Sequence, residues 1–262
     1  MIKLGIVGVG KIVRDQHLPS IANTGHFELA ATASRNAQVD NVQAFRTLGE
    51  MIDAEPDLQA VSLCMPPQYR FDLACEAIDN GLHVLLEKPP GATVAEVMHL
   101  ADRAKGQNVT LYATWHSRHA PAVQPAKAWL QGKTINEVDL TWIEDVNKWH
   151  PGQDWIWQAG GLGVFDPGIN GLSILTEVLP DDVFVTQAAL EFPHTKDAPI
   201  AAQFTMRSSE GYSVNAKMDW RVPDSESSKE RWEISINTDQ GDLNISDGGV
   251  QADRIPSSPP SQ

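Results

Sequence analysis

Short apolar runs alternate with longer stretches of helical spacing over the first 118 residues. Ile2–Val7 reads as a buried strand, followed by Gly8-Val9-Gly10 and a helical stretch from Lys11 to Ala22. Phe27–Ser34, Ala60–Cys64, His83–Glu87 and Val109–Thr114 read as further strands. Leu48–Ala54, Tyr69–Asn80 and Thr93–Gly106 read as helices, with Gly81 placed where a helix end favours glycine. This alternation predicts a parallel sheet with covering helices. Beyond residue 118 the apolar period shortens to two. Val138, Leu140, Trp142, Glu144 and Val146 share one predicted strand face. Ser208-Ser-Glu-Gly211 reads as a hairpin turn between Ala202–Arg207 and Ser213–Arg221, and Asp239-Gln-Gly241 as another between Trp232–Thr238 and Asp242–Ser246. Pro121–Leu130 and Pro167–Leu179 are predicted helices. The pattern predicts an α/β chain of two domains: residues 1–118 around a parallel sheet, and residues 119–254 around a mostly antiparallel open sheet. Ile255–Gln262 is a Pro/Ser-rich tail, predicted to be disordered.

Charge narrows the function classes. The 262 residues carry 34 acidic and 20 basic side chains, for a net charge of −14. That disfavours nucleic acid and anionic membrane surfaces, both of which attract basic proteins. No signal peptide precedes the first strand and no apolar run reaches membrane-spanning length, so a cytoplasmic protein is expected. Cys64 and Cys75 have no metal-like spacing and read as reduced core thiols. The histidines do not pair at zinc-ligand spacing, so no metal site is expected.

Candidate chemistry clusters at predicted strand ends. Gly8-Val9-Gly10 follows a strand and opens a helix, the context in which backbone amides and a helix N-terminus bind a pyrophosphate. Val13 occupies the third glycine position of that fingerprint. The second strand ends in Ser34-Arg35, where NAD-binding chains usually place an acidic residue. Arginine can instead pair with a 2′-phosphate, which predicts NADP, with NAD as the weaker alternative. In His83-Val-Leu-Leu-Glu-Lys-Pro-Pro90, two prolines stop the strand and hold Lys88 at its carboxyl end. Lys88 can act as a base if burial or nearby positive charge favours its neutral form, or stay protonated and polarise a substrate oxygen. Asp166-Pro-Gly-Ile-Asn170 reads as a helix N-cap with Asn170 on the same face as Asp166, approached by a flexible, uncrowded Gly160-Gly-Leu-Gly163 run. Glu144, Trp149, His150, Trp155 and Trp157 read either as a core aromatic cluster, the commoner arrangement, or as a carboxylate-and-aromatic wall of the kind that binds sugars, with His116 a further polar candidate.

Gly8-Val9-Gly10, Pro66-Pro67, Glu87-Lys88-Pro89 and a Gly-Gly-x-Gly-x-x-Asp run ending at Asp166 resemble the Gfo/Idh/MocA oxidoreductases. More narrowly, Gly10-Lys11-Ile12, Asp15-Gln16-His17, Thr114-Trp-His-Ser-Arg118, Lys148-Trp-His-Pro-Gly-Gln153 and Gly163-Val-Phe-Asp-Pro-Gly-Ile-Asn170 resemble bacterial aldose 1-dehydrogenases. The resemblance implies a Rossmann domain joined to an α/β domain whose open sheet makes a homodimer. It implies oxidation of an aldose of the L-arabinose, D-galactose and D-fucose class at C1 to the lactone, with hydride passing to NADP⁺. Lys88 and Asp166 would then handle the proton, either being able to take it first. His116, Glu144, Trp149, His150, Asn170 and Trp232 would contact the sugar. Gly8, Gly10, Lys11, Ile12, Ser34, Arg35, Pro66, Glu87 and Lys88 would line the cofactor. Much of the wider family has His where Asn170 stands, and the aldose group shares the Asn. Relatives are expected to continue past Asn244–Gly249 with a strand and a helix, where the Pro/Ser tail stands in this chain. Alternative expectations are a dehydrogenase of the same fold on another sugar or polyol, or a catalytically silent sugar- or dinucleotide-binding regulator.

Overall fold

The computed structural model describes residues 1–222 and 229–255, and the chain divides into two compact units, Met1–Thr114 and Trp115–Gln262. The first unit runs β1 (Ile2–Val7), α1 (Leu18–Thr24), β2 (Phe27–Ala33), β3 (Gln43–Phe45), α2 (Leu48–Ala54), β4 (Ala60–Leu63), α3 (Phe71–Asp79), β5 (His83–Leu86), α4 (Val94–Gln107) and β6 (Leu111–Ala113). All neighbours are parallel, in the order β3-β2-β1-β4-β5-β6. This is the doubly wound arrangement expected of alternating strands and helices, with its crossover reversal between β1 and β4. Two helices start where threonine and glutamate stand three apart. Thr47 with Glu50, and Thr93 with Glu96, form complete capping boxes. Val61, Leu63, Val84 and Leu86 pack with Met51, Ala77, Ile78 and Leu100 in the larger core of this unit. Val13, at the third fingerprint position, is fully buried beside Ile6 and Val9, so a valine fills the space a third glycine would leave. Helical structure begins at Lys11 and passes through a π-helical turn at Val13–His17 before α1.

The second unit runs α5 (Val123–Leu130), β7 (Ile135–Ile143), α6 (Val146–Trp149), α7 (Phe165–Val178), β8 (Val183–Glu191), β9 (Ala201–Ser208), β10 (Ser213–Asp219), β11 (Arg231–Thr238), β12 (Gly241–Ser246) and β13 (Gln251–Ile255). Its sheet is ordered β13-β12-β11-β7-β10-β9-β8 and is antiparallel except for the parallel pair β7–β10. One face, with Val138, Leu140, Trp142, Val214, Met218, Ile234 and Ile236, packs in one core with Val123, Leu130, Ile174 and Val178 of α5 and α7. β8 was missing from the sequence reading because nearly all its residues are exposed, so no alternation marks it. A further strand, β13, does follow the Asn244–Gly249 region, paired to β12. The rest of the predicted tail lies outside the described residues. β7 stops at Ile143, so Glu144 follows the strand and Val146 opens α6 instead of extending the strand face.

Helix α7 approaches the sheet closely because Gly168 and Gly171 face it. A Cβ on Gly171 would lie 2.5 Å from the Trp142 ring and 3.0 Å from Leu140. Gly171→Ala is therefore expected to destabilise the protein by about 1–3 kcal/mol through overpacking. Chemical denaturation checks this, and an unchanged midpoint would show that helix and sheet can separate at no cost.

Candidate active site

Strand register sets the edge residues of the first unit. Val7, Ala33, Leu63 and Leu86 lie in one row across β1, β2, β4 and β5. The residues that follow, Gly8, Ser34, Cys64 and Glu87, therefore line the carboxyl edge, where open α/β sheets bind ligands. Gly8 has φ +86°, and a Cβ there would sit 3.0 Å from the Met65 amide nitrogen. A Cβ on Gly10 would meet nothing within 4 Å, leaving room for a pyrophosphate against the backbone. Lys11 is ion-paired with Asp15, and Ile12 is exposed. Ser34 is half-buried, Arg35 exposed and Pro66 half-buried after β4. These residues could hold a dinucleotide along the carboxyl edge.

Lys88 is half-buried just beyond β5. Beneath it lies a group the sequence reading did not connect. His17 Nε2 meets Glu87 Oε1 at 2.7 Å, and His17 Nδ1 lies 3.4 Å from Ser62 Oγ. Cys64 Sγ lies 3.7 Å from His17 Nε2, so this thiol borders a polar cluster, and neither cysteine is fully buried as predicted. Burial opposes charge on His17, but its hydrogen bonds with Cys64 and Glu87 outweigh that and push its pKa up to about 10. Burial likewise opposes the Glu87 carboxylate, and the His17 partner outweighs it, holding the pKa below the usual value. His17 thus stabilises the fold fully below 6.5 and loses its contribution as pH rises through about 10. Glu87 contributes above 4.5 and loses its share as pH falls. The thermal midpoint is expected to fall between neutral pH and about pH 10, and Glu87→Gln to remove part of that fall, the rest lying with Cys64. Calorimetry across this range is the check, with parallel curves the contradicting result.

The second unit brings most of its predicted residues together. Glu144 is 7% exposed, and its two oxygens accept from the indoles of Trp220 at 3.4 Å and Trp232 at 3.1 Å. Trp232 also packs against Trp149, with ring centroids 6.0 Å apart. His150 packs on Trp220 at 5.3 Å, and its Nε2 lies 3.2 Å from Asp166 Oδ2. On the other side of the ring, Nδ1 faces Gln153 Oε1 at 3.3 Å. That oxygen also accepts from the Trp155 indole at 3.0 Å, which fixes the amide orientation because an indole only donates. Both ring nitrogens of His150 therefore face oxygens, and His150 and Asp166 can share a proton. Asn170 is half-buried one helical turn beyond Asp166. His116 is exposed at the start of a 3₁₀ turn, His116–His119. In that turn, Arg118 pairs with Glu177 of α7.

Two local predictions need correction. Asp166 is not an N-cap: α7 begins at Phe165 with Val164 as its cap, so the Asp166 side chain is left to meet His150. The glycine run before it is crowded, not open. A Cβ on Gly161 would lie 2.4 Å from the Trp155 carbonyl oxygen, and one on Gly163 2.2 Å from that of Pro199.

Sequence reading assigned no role to Trp220, Glu230, Arg70 or His17, the last named there only within a family-like string. Glu230 accepts from the Trp149 indole at 2.6 Å and pairs with Lys148 at 2.5 Å, orienting that aromatic side chain. Trp220 reaches Glu144 through the parallel β7–β10 pairing, which no local pattern announces. Among the described residues, no group of three or more His, Cys, Asp or Glu is placed to hold a metal ion, and no helix is long and apolar enough to cross a membrane.

Residues 2–114 match the model of an oxidoreductase family with an NAD-binding Rossmann fold, GFO_IDH_MocA. Galactose 1-dehydrogenase of Pseudomonas fluorescens is 41% identical over 249 residues, 95% of this chain and 79% of that protein. The rhizopine catabolism protein MocA of Rhizobium meliloti is 26% identical over 84% of this chain and 72% of its own length. The crystal structure of a D-galactose-1-dehydrogenase protein from Rhizobium etli superposes with a TM-score of 0.90 at 56% identity, covering 96% of this chain and 80% of that one. With the parallel six-stranded sheet and its glycine turn, these likenesses place the chain in the Gfo/Idh/MocA family of oxidoreductases, built on an NAD(P)-binding Rossmann fold.

Proposed function

We propose that this protein oxidises the C1 hydroxyl of an aldose of the D-galactose, L-arabinose and D-fucose class to the lactone, with NADP⁺ as the preferred oxidant. The observation that carries this reading is the carboxylate of Glu144 held between two indoles, beside the His150–Asp166 pair, in a chain 41% identical to a galactose 1-dehydrogenase. Indole faces pack against the C–H faces of sugar rings, while buried carboxylates and amides accept or donate to their hydroxyls. Glu144, Trp149, His150, Asn170, Trp232 and His116 are the proposed sugar contacts. Lys88 and Asp166 are the proposed proton-handling residues.

NADP⁺, when bound, supplies the acceptor for the hydride. The chain's part is to hold the cofactor and to take the hydroxyl proton as the C1 hydride leaves. Gly8, Gly10 and the following helix start would hold the pyrophosphate, with Lys11 and Ile12 beside it. Ser34 and Arg35 would hold the 2′-phosphate, and Pro66, Glu87 and Lys88 the nicotinamide end. Asp166, sharing a proton with His150, has a route for passing one onward.

The uncovered face of the second sheet serves, in this reading, to pair two copies. Asp139, Gln203, Asn215 and Lys217 lie on that side, and the edge strand β8 exposes Phe184, Val185 and Leu190. Sedimentation would show a dimer, and a monomer at micromolar concentration would remove this role.

The direct test crosses NADP⁺ and NAD⁺ with D-galactose, L-arabinose, D-fucose, D-xylose and myo-inositol, following nicotinamide reduction by absorbance. Turnover with NADP⁺ and the first three sugars is expected. Turnover only with myo-inositol would move the activity to polyols. Binding of NADP⁺ without reduction by any sugar would make the protein a sensor.

A further inference from the structure

We propose that Arg70 and the His17–Glu87 pair are positioning residues for Lys88, together fixing the backbone that carries the lysine. This rests on Lys88 being a proton-handling residue. Arg70 is 3% exposed. Its Nε donates to the Met65 carbonyl at 2.7 Å, and its Nη1 donates to the carbonyls of Glu87 and Pro89. The last two carbonyls bracket Lys88. The Lys88 N–H donates to Glu87 Oε2 at 3.2 Å, and His17 holds the other oxygen of the same carboxylate at 2.7 Å. The peptide group before Lys88 and the one after Pro89 thus end on buried side chains. Those side chains come from separate elements, Arg70 from the turn entering α3 and His17 from the turn entering α1.

The turn needs such a device. Pro89 and Pro90 have no N–H to give, so strand pairing, whose last bond runs from the Glu87 N–H to the Leu63 carbonyl, cannot hold the chain further on. Desolvation offsets part of the attraction of a buried guanidinium or ion pair, so apolar packing could serve stability as well. What they supply here is geometry. The planar guanidinium presents several donors in a fixed fork, so one side chain can hold the end of β4 and both carbonyls around Lys88. A lysine ammonium at position 70 could not span that set.

The test uses the full chain with Arg70→Lys, which keeps the charge and loses the fork, and His17→Gln, which can still donate to Glu87 without a charge. Two variants are used because Arg70→Lys alone could fail to fold. One readout is independent of sugar turnover: the rate at which acetic anhydride labels Lys88, relative to exposed Lys105, measured by peptide mass spectrometry. The Lys88-to-Lys105 ratio is expected to rise several-fold in a variant that retains the wild-type circular dichroism spectrum. An unchanged ratio in both would overturn the clamp, whatever the wild type does with sugars. The second readout is steady-state kinetics with D-galactose and NADP⁺. A fall in kcat of about 10- to 100-fold with little change in KM for NADP⁺ is expected, as for a catalytic group displaced by about an ångström. A loss that only follows the fraction of folded protein would overturn the positioning role. A wild type that oxidises no sugar would instead fail the proposed function and leave the labelling result to decide the clamp.

Discussion

Replacing Lys88 with alanine is expected to lower kcat for NADP⁺-dependent D-galactose oxidation by about 10²- to 10⁴-fold, the usual contribution of a positioned acid or base. When the C1 hydride leaves, the hydroxyl becomes a carbonyl and must shed its proton. Without a group to take or polarise it, that charge develops on oxygen unaided. Lys88 fits the task because its backbone is tied at the carboxyl edge, with the Glu87 and Pro89 carbonyls on Arg70 and its own N–H on Glu87. Its side chain can change without disturbing that frame, so NADP⁺ binding should survive. Titration of NADP⁺ by protein fluorescence separates the two effects. Near-normal kcat would remove Lys88 from the chemistry, and loss of both binding and turnover would make it a cofactor ligand first.

The second large effect is expected at Arg35. Arg35→Ala should raise KM for NADP⁺ by about 10- to 100-fold, equivalent to losing one charge-assisted hydrogen-bonding group worth about 1.5–3 kcal/mol. KM for NAD⁺ should barely move, since NAD⁺ has no 2′-phosphate. Arg35 is exposed immediately after the carboxyl end of β2, and no Asp or Glu lies between Ser34 and Val39 to repel a phosphate. Equal losses with both cofactors would sink the assignment and place Arg35 on the shared part of the dinucleotide.

Most of the first unit was legible because its information is local. Apolar runs of four to seven residues, the glycine turn at Gly8 and the prolines after Lys88 each act within a few residues of themselves. The short β3 and the exposed β8 escaped because neither buries enough side chains to leave a period. The candidate site was legible in its residues but not in its contacts. Glu144, His150 and Asp166 stood out by chemical type. That Trp220 would cap Glu144 depends on β10 pairing parallel to β7, across more than seventy residues. The partnership of His17 with Glu87 depends in the same way on β1, β4 and β5 lying side by side. At Asp166, the Asp-Pro pattern of an N-cap was overridden because the helix begins two residues earlier than that pattern places it, at Phe165.

Hydride transfer from the sugar's C1 to NADP⁺, as proposed, is read out with D-galactose deuterated at C1. One deuterium is expected on the nicotinamide for each lactone formed, with the hydroxyl proton released to solvent. NADP⁺ reduction without deuterium transfer, or bound NADP⁺ that galactose never reduces, would contradict it.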